Sequence, residues 1–161
     1  MRACRPAGWY KAHMAPVIDW SAEWHDVSRL LIAYVFALPV GWYRERQEHS
    51  IGVRTFPLVA VASCGYVMLA GAVGQTSVDA HSRVIQGLVA GMGFIGGGAI
   101  LKSEGSVHGT ATAASIWNTG VVGAAVASDR IVMAAVLAAL NLFALRVLLP
   151  LKQKLDNESQ K

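Results

Sequence analysis

Long apolar stretches alternate with short polar ones along most of this chain. A helix that crosses a membrane needs roughly 20 largely apolar residues, or about 17 at the short end, and five stretches meet that requirement. None alternates strictly between apolar and polar positions, so the pattern does not predict a transmembrane barrel. It predicts five membrane-spanning helices, at residues 27–43, 57–74, 84–101, 111–127 and 131–149.

The five stretches differ in composition. The first is short, carries Arg29 near its start and is interrupted by Pro39, while the fourth is mostly Ala, Gly, Ser and Thr. Small residues of this kind suit a helix inside a bundle. The sequence therefore predicts an all-α integral membrane protein with a bundle of about five transmembrane helices over 27–149. Residues 1–26 would be an N-terminal tail or interfacial segment, and residues 150–161 a cytoplasmic tail.

Lysine and arginine residues near the helix ends predict the orientation. With five spans, seven such residues fall on one side of the membrane and three on the other. Because cytoplasmic loops carry the excess of positive charge, the N-terminus is expected outside and the C-terminus inside. The seven are Arg44, Arg46, Arg54, Lys102, Lys152, Lys154 and Lys161, and the three are Arg29, Arg83 and Arg130.

Composition supports a membrane protein. Of the 161 residues, 54% are hydrophobic and 15% are charged, whereas soluble domains carry about 25% charged residues. The charged residues, which give a net charge of +4, lie between the apolar blocks. Membrane topology therefore explains the charge better than nucleic-acid binding does. Two cysteines are too few for a disulfide scaffold, and the five histidines are too scattered for a metal site. No metal, cofactor or nucleic-acid partner is predicted.

Catalytic and transport chemistry has little support in the sequence. No carboxylate falls inside a predicted span, although cation paths usually place an acidic residue at depth. This disfavours a self-sufficient carrier of divalent cations. The sequence has no Ser/His/Asp constellation, phosphate loop or metalloprotease motif, so no catalytic residue is predicted. An enzyme acting on a membrane substrate would have only Glu104 and His108 as acid/base candidates, in a loop that Gly105 and Gly109 predict to be a turn.

The third stretch has six glycines in 18 residues, and two interpretations are open. Glycines four residues apart, as in Gly87/Gly91 and Gly93/Gly97, let helix backbones approach closely, within one protomer or across a dimer. Alternatively, the helix breaks at residues 96–98 and frees carbonyl groups along a ligand path.

Polar side chains inside the spans also allow two interpretations. Asn118 and Asn141 suit hydrogen bonds between helices, each contributing around 1 kcal/mol. A polar functional cavity built from Gln86, Trp117 and Asn118 is the alternative.

The first loop, residues 42–49, is rich in charge. It is either an interfacial anchor with solvated charges or a structural node of salt bridges. In the second case Arg44 and Glu48 stand at helical i,i+4 spacing, and Glu45 and Arg46 reach other loops or a second protomer.

Three motifs resemble those of the MgtC/SapB family of membrane proteins. Residues 41–46, GWYRER, and 52–55, GVRT, are similar to its G-x-x-R-E-R and G-x-R-T patterns. Residues 82–102 look like its glycine-rich helix. Residues 107–117, VHGTATAASIW, resemble its V-x-G-L-T-T-A-A-x-x-W segment, although Thr110-Ala111-Thr112 stands where the family has Leu-Thr-Thr.

The resemblance implies a multi-pass protein of the bacterial inner (plasma) membrane. It implies an accessory or regulatory role in magnesium homeostasis and adaptation to low magnesium, exerted through helix–helix contacts with a membrane partner. The partners that it suggests are a magnesium P-type ATPase, the F-type ATP synthase and a second copy of the chain. The alternative function is a transporter or channel for magnesium or another small solute along the glycine-rich helix. The chain is expected to be a short form without the C-terminal ACT-like domain of longer members.

The resemblance also names residues by their motif positions, with structural or interface roles implied for them. Those of the charged cytoplasmic node are Arg44, Glu45, Arg46 and Arg54. Those of the packing or path helix are Arg83, Gln86, Gly87, Gly91, Gly93, Phe94, Gly96 and Gly98. Those of the signature loop and fourth helix are Gly109, Thr112, Ala113 and Trp117, which Asn118 follows.

Overall fold

The computed structural model describes residues 20–48, 52–74, 78–103 and 106–148, and these form five helices and one β-hairpin. The elements in chain order are α1 (Trp20–Glu48), α2 (Thr55–Gly74), α3 (Val78–Gly98), β1 (Leu101–Ser103), β2 (Ser106–His108), α4 (Thr110–Ala127) and α5 (Ile131–Phe143), which a π-helical turn extends over Ala144–Leu148. The predicted tail at 150–161 lies outside the described residues, as do residues 1–19 of the N-terminal segment.

Helix α4 forms the centre of the bundle. It packs against the four other helices, whereas α3 packs mainly on α2 and α4, and α5 mainly on α4 and α1. Its small residues allow this close packing. A Cβ atom at Gly123 would overlap the backbone carbonyl of Ala60 in α2, and one at Gly120 would overlap the Met92 side chain of α3. The prediction that the fourth segment lies inside the bundle is confirmed.

Helix α1 is longer than the first predicted span. It begins at Trp20, so it includes residues 20–26, and it continues past Pro39 to Glu48. Proline removes one backbone hydrogen bond from a helix. Pro39 nevertheless does not end α1, which packs along α2 and α4.

Helix α3 also differs from its prediction. It runs from Val78 to Gly98 and ends there, so the predicted third span stops at the glycines of residues 96–98 instead of continuing to Leu101. The amide N–H groups of Ala99 and Ile100 donate to the carbonyl oxygens of Gly96 and Gly97 at 3.0 and 3.1 Å, which uses those carbonyls to close the helix. Glycine is a poor helix former, and here the glycine run marks the helix end.

A short β-hairpin joins α3 to α4, where the sequence predicted only a turn. Strands β1 and β2 pair antiparallel with Lys102 opposite Val107. Leu101, which was predicted to end the third span, is the first residue of β1. Gly109 then begins α4 with φ of 84°, a left-handed conformation that favours glycine.

The surface of the described bundle is strongly apolar. Phe94 on α3 is 85% exposed and Val132 on α5 is 78% exposed. By length and composition, two helices in the described ranges can cross a membrane, at Thr55–Ala72 and Ile131–Leu148. Exposed apolar surface together with such helices is typical of a helical membrane protein.

Candidate functional site

The three sequence motifs meet around the first turn of α4. The first motif supplies Arg44 from α1, the glycine-rich helix supplies Gly96, and the third motif supplies Gly109, Thr112 and Ala113. We call this set of five residues the motif junction. It brings together segments that are up to 69 residues apart in the sequence, from 44 to 113.

Arg44 is the largest side chain that the described structure buries completely. Its Nη2 atom donates a hydrogen bond to Thr112 Oγ1 in the first turn of α4. Burying a guanidinium group is costly unless hydrogen bonds hold it, so this contact sets the register between α1 and α4. The alternative of an interfacial anchor with solvated charges is therefore wrong for Arg44, whereas the salt-bridge node stays a prediction. The suggested pair with Glu48 involves a side chain outside the described part of the structure.

Glu45 holds the turn between α1 and α2. Its Oε2 atom accepts a hydrogen bond from the Val53 amide N–H at 3.1 Å. A Cβ atom at Gly52 would overlap the Glu45 side chain, and one at Gly41 would lie 3.1 Å from the Gly52 carbonyl oxygen. Glycine at positions 41 and 52 is what allows the two halves of the first motif to pack together.

Two glycines bring α3 and the hairpin against α4. A Cβ atom at Gly96 would lie 3.2 Å from the Ala113 carbonyl oxygen, so α3 and α4 meet backbone to backbone there. At Gly109 a Cβ atom would overlap the Ala99 carbonyl oxygen. The packing interpretation of the third stretch thus holds within the protomer at Gly96.

Arg46 and Arg54 lie apart from the motif junction, although the sequence grouped them with Arg44. Both side chains are exposed. The Arg46 guanidinium lies 5.3 Å from the centre of the Trp42 ring, a cation–π contact that contributes about 0.5–1 kcal/mol at an exposed site. Arg54 lies in the turn immediately before α2.

Most of the other residues predicted on α3 are exposed. For four of the glycines, no atom of the described chain beyond the helix's own nearby backbone lies within 4 Å of where a Cβ atom would be. These glycines leave smooth helix surface that no other element of the described structure covers. The exposed residues are Arg83, Gln86, Gly87, Gly91, Gly93, Phe94 and Gly98.

The two asparagines form the predicted hydrogen bonds between helices. Asn118 Nδ2 donates to the Leu137 carbonyl oxygen at 3.1 Å, and Asn141 Nδ2 donates to the Ser115 carbonyl oxygen at 3.3 Å. Both bonds join α4 to α5. The alternative, a polar cavity built from Gln86, Trp117 and Asn118, stays a prediction; the cavity between α2 and α3 is lined by other residues. Trp117 is about half exposed, at 47%.

We expect Asn118→Leu to lower the free energy of unfolding by about 1 kcal/mol, which is typical of one hydrogen bond between membrane helices. Unfolding in a titration with sodium dodecyl sulfate, followed by circular dichroism, measures the change. Gln86→Leu is the control, because Gln86 is exposed on α3 and its replacement should leave the stability unchanged. Equal losses in the two variants would contradict a contribution from the Asn118 bond.

An ion pair between α1 and the α4–α5 turn was missed by the sequence reasoning. Arg29 Nε lies 3.1 Å from Asp129 Oδ1, and Arg29 Nη2 bonds the second carboxylate oxygen. The side chains are 18% and 67% exposed, respectively, so the pair contributes modestly to stability. The two residues are 100 positions apart, and no local pattern in the sequence links them.

Among the described residues, no group of three His, Cys, Asp or Glu side chains is placed to hold a metal ion. Of the acid/base candidates, His108 lies exposed in β2, and Glu104 falls outside the described ranges. The contacts of the motif junction hold α1, α3 and α4 together.

Comparison with known proteins gives consistent matches. The model of the MgtC family matches residues 30–154. Protein SrpB of Synechococcus elongatus is 40% identical over 117 residues, covering 65% of this chain and 64% of that protein. Protein MgtC of Brucella abortus is 30% identical over 142 residues, covering 88% of this chain and 59% of that protein. Protein MgtC of Salmonella typhimurium is 30% identical over 97 residues, covering 60% of this chain and 41% of that protein.

The chain thus spans between about two fifths and two thirds of the length of these relatives. No solved structure matches it.

Proposed function

The chain belongs to the MgtC family, and on that basis we propose that it is an MgtC-like accessory protein of a bacterial inner membrane. It serves magnesium homeostasis and adaptation to low magnesium, and it acts by contact between its helices and a larger membrane protein. The relatives named MgtC in Brucella and Salmonella support the family role. Because the chain covers only part of their length, their full activity is not assumed for it.

We propose that all five helices cross the membrane, with the N-terminus outside and the C-terminus inside. Two helices are long and apolar enough to do so by themselves. The other three have more charged, polar or small residues, and α4 is covered by its neighbours. Arg46 and Arg54 are exposed near the turn between α1 and α2, and the excess of positive charge assigns that end of the bundle to the cytoplasm.

The observation that carries the proposed function is an exposed stripe along α3. Its positions repeat with alternating steps of three and four residues, which places them on one helix face. No atom of the described chain lies within 4 Å of a Cβ atom at Gly93 or Gly97. Small residues at this spacing drive close association of membrane helices. The stripe consists of Arg83, Gln86, Ala90, Gly93 and Gly97.

The partner that fits this stripe is a transmembrane helix with a matching smooth face. By family resemblance it belongs to a magnesium P-type ATPase or to the F-type ATP synthase, and a second copy of the chain is the simplest occupant of all. The exposed Arg83 and Gln86 at one end of the stripe add hydrogen-bond donors that favour one register.

We expect Gly93→Leu to abolish recovery of the membrane partner, because a leucine side chain holds the two helix backbones apart. The measurement is mass spectrometry of proteins crosslinked to the tagged chain in its own bacterial membrane at low magnesium. Gly71→Leu is the control, since Gly71 is also exposed with open space around it but lies on α2. Equal partner recovery in the two variants would contradict a role of the stripe.

Transport is tested separately. Proteoliposomes that contain only this chain should show no magnesium entry above empty liposomes, as read by a trapped indicator dye. The carbonyl oxygens of Gly96 and Gly97 accept the hydrogen bonds that close helix α3, so these two groups are engaged within the chain. Magnesium entry that Gly96→Leu abolishes would contradict the accessory role and support the transporter alternative.

A further inference from the structure

Two exposed tryptophans lie on the same face of α1, far apart along the helix. The side chains of Trp24 and Trp42 are 68% and 57% exposed. They are 18 positions apart in the sequence, which makes about five complete helical turns and a distance of about 27 Å along the axis. The hydrocarbon core of a bilayer is about 30 Å thick. The spacing of the two rings therefore matches the distance between the two edges of that core.

The same face of α1 carries exposed aliphatic side chains between the two rings. Leu31 is 60% exposed and Val35 is 56% exposed, and both lie within about 20° of the line that joins the rings. We call Trp24, Leu31, Val35 and Trp42 the tryptophan line. The opposite face of α1 packs on the bundle and is buried at Ala33, Ala37 and Val40.

The charge that α1 carries within this stretch is turned away from the tryptophan line. Arg29 is the charged residue between Asp26 and Arg44, and it lies about 140° around the helix from Trp24. Its guanidinium pairs with the Asp129 carboxylate. Because side chains of a helix lean toward its N-terminus, Arg29 reaches toward the Trp24 end and away from the middle of the stretch.

Both ends of the tryptophan line have the chemistry of a headgroup region. Trp20 lies one turn beyond Trp24 and is 67% exposed. At the other end, the Arg46 guanidinium lies 5.3 Å from the centre of the Trp42 ring. Tryptophan combines an apolar ring with one N–H donor and is enriched at both membrane–water interfaces. A protein partner would not require about 27 Å between the two rings, whereas a bilayer fixes that distance.

We propose that the tryptophan line faces lipid across the whole hydrocarbon core, with Trp24 among the headgroups of one leaflet and Trp42, together with Arg46, among those of the other. The inference rests on the proposal that α1 crosses the membrane, and it is independent of the accessory role. Arg44 is two residues from Trp42 on the buried side of α1. The Trp42 anchor therefore holds the motif junction at the level of the headgroups.

Fluorescence quenching by brominated phospholipids in proteoliposomes of the full chain tests the depths of the two rings. Trp24→Phe and Trp42→Phe each remove one exposed ring, so the emission lost in each variant is the contribution of that ring. Lipids brominated close to the headgroup should quench both contributions more strongly than lipids brominated near the end of the acyl chain. Circular dichroism checks that each variant keeps the helix content of the unchanged chain.

Val35→Trp is the matched control, because it adds a ring on the same line about 11 Å from Trp42. Its added emission should show the reverse order, with stronger quenching by bromine near the end of the acyl chain. Leu31→Trp, the same distance from Trp24, should behave in the same way and serves as a second variant.

Three results would overturn the inference. Stronger quenching of Trp24 or Trp42 by the deep bromine would place that ring inside the hydrocarbon core. Quenching of all the rings by aqueous iodide would place α1 outside the bilayer and would contradict its crossing as well. Added rings at positions 31 and 35 that neither lipid nor iodide quenches would mean that a second copy of the chain or another protein covers the line, while the crossing itself would stand.

Discussion

Gly123→Ala should lower the free energy of unfolding by about 3 kcal/mol, a shift of more than a hundredfold toward the unfolded chain. Helices α2 and α4 touch here through their backbones. The added Cβ atom would overlap the Ala60 carbonyl oxygen and lie 2.9 Å from its carbonyl carbon. Neither atom belongs to a side chain that can rotate away. The two helices must therefore separate, and because α4 packs on every other helix, the disturbance spreads through the bundle.

The measurement is unfolding in detergent micelles by a titration with sodium dodecyl sulfate, followed by circular dichroism. Gly71→Ala is the matched control on α2, because no atom of the described chain lies within 4 Å of its added Cβ. Alanine forms helices better than glycine, so the control should be as stable as the unchanged chain or more stable. Equal stability of the two variants would contradict the close backbone contact between α2 and α4.

The positions of the helices are the part of the fold that the sequence predicts best. An apolar stretch in a membrane must satisfy its own backbone hydrogen bonds, and a helix does so locally. The central place of α4 was predictable for a similar reason, since Ala, Gly, Ser and Thr suit close packing. Helix ends depend on more distant contacts. Helix α3 closes at Gly98, and Gly109 directs the chain into α4 against Ala99, which no local pattern specifies.

The glycines show most clearly why the candidate site was only partly predictable. Spacing of four residues indicates a smooth helix face but not what covers that face. Of the five glycines that the sequence named on α3, Gly96 is buried, whereas Gly87, Gly91, Gly93 and Gly98 are exposed. Close contacts inside the bundle occur at Gly96 on α3 and at Gly120 and Gly123 on α4. The second helix of each contact comes from elsewhere in the chain, so spacing within one helix cannot identify it.

Arg44 shows the same limit of prediction for a charged side chain, because its partner also lies on another helix. The motif placed an arginine beside two other charged residues near a predicted helix end, where solvated or paired charges are the usual outcome. Only the path of α4 determines that Thr112 stands opposite Arg44 and that the guanidinium is buried. Residue type and motif position therefore identified the residue, whereas its burial and partner came from the three-dimensional fold.

Thr112→Val should cost about 2 kcal/mol of unfolding free energy in a chain that has Arg44, since a hydrogen bond to a charged group contributes about 1.5–3 kcal/mol. In a chain with Arg44→Met the same change should cost far less. Methionine keeps an apolar side chain in the space and removes the buried charge. The two substitutions should therefore be non-additive by about 1.5 kcal/mol or more.

Four proteins measure this coupling: the unchanged chain, the two single variants and the double variant, each unfolded in the same detergent titration. Arg46→Met replaces Arg44→Met in a parallel control cycle, because Arg46 is exposed over the Trp42 ring, and there the effects should add to within about 0.5 kcal/mol. Additive effects of Arg44 and Thr112 would contradict an energetic contact. Coupling of Thr112 to Arg44 but not to Arg46 would show that the first and third motifs fold as one unit. Partner recognition would then be assigned to the exposed stripe on α3.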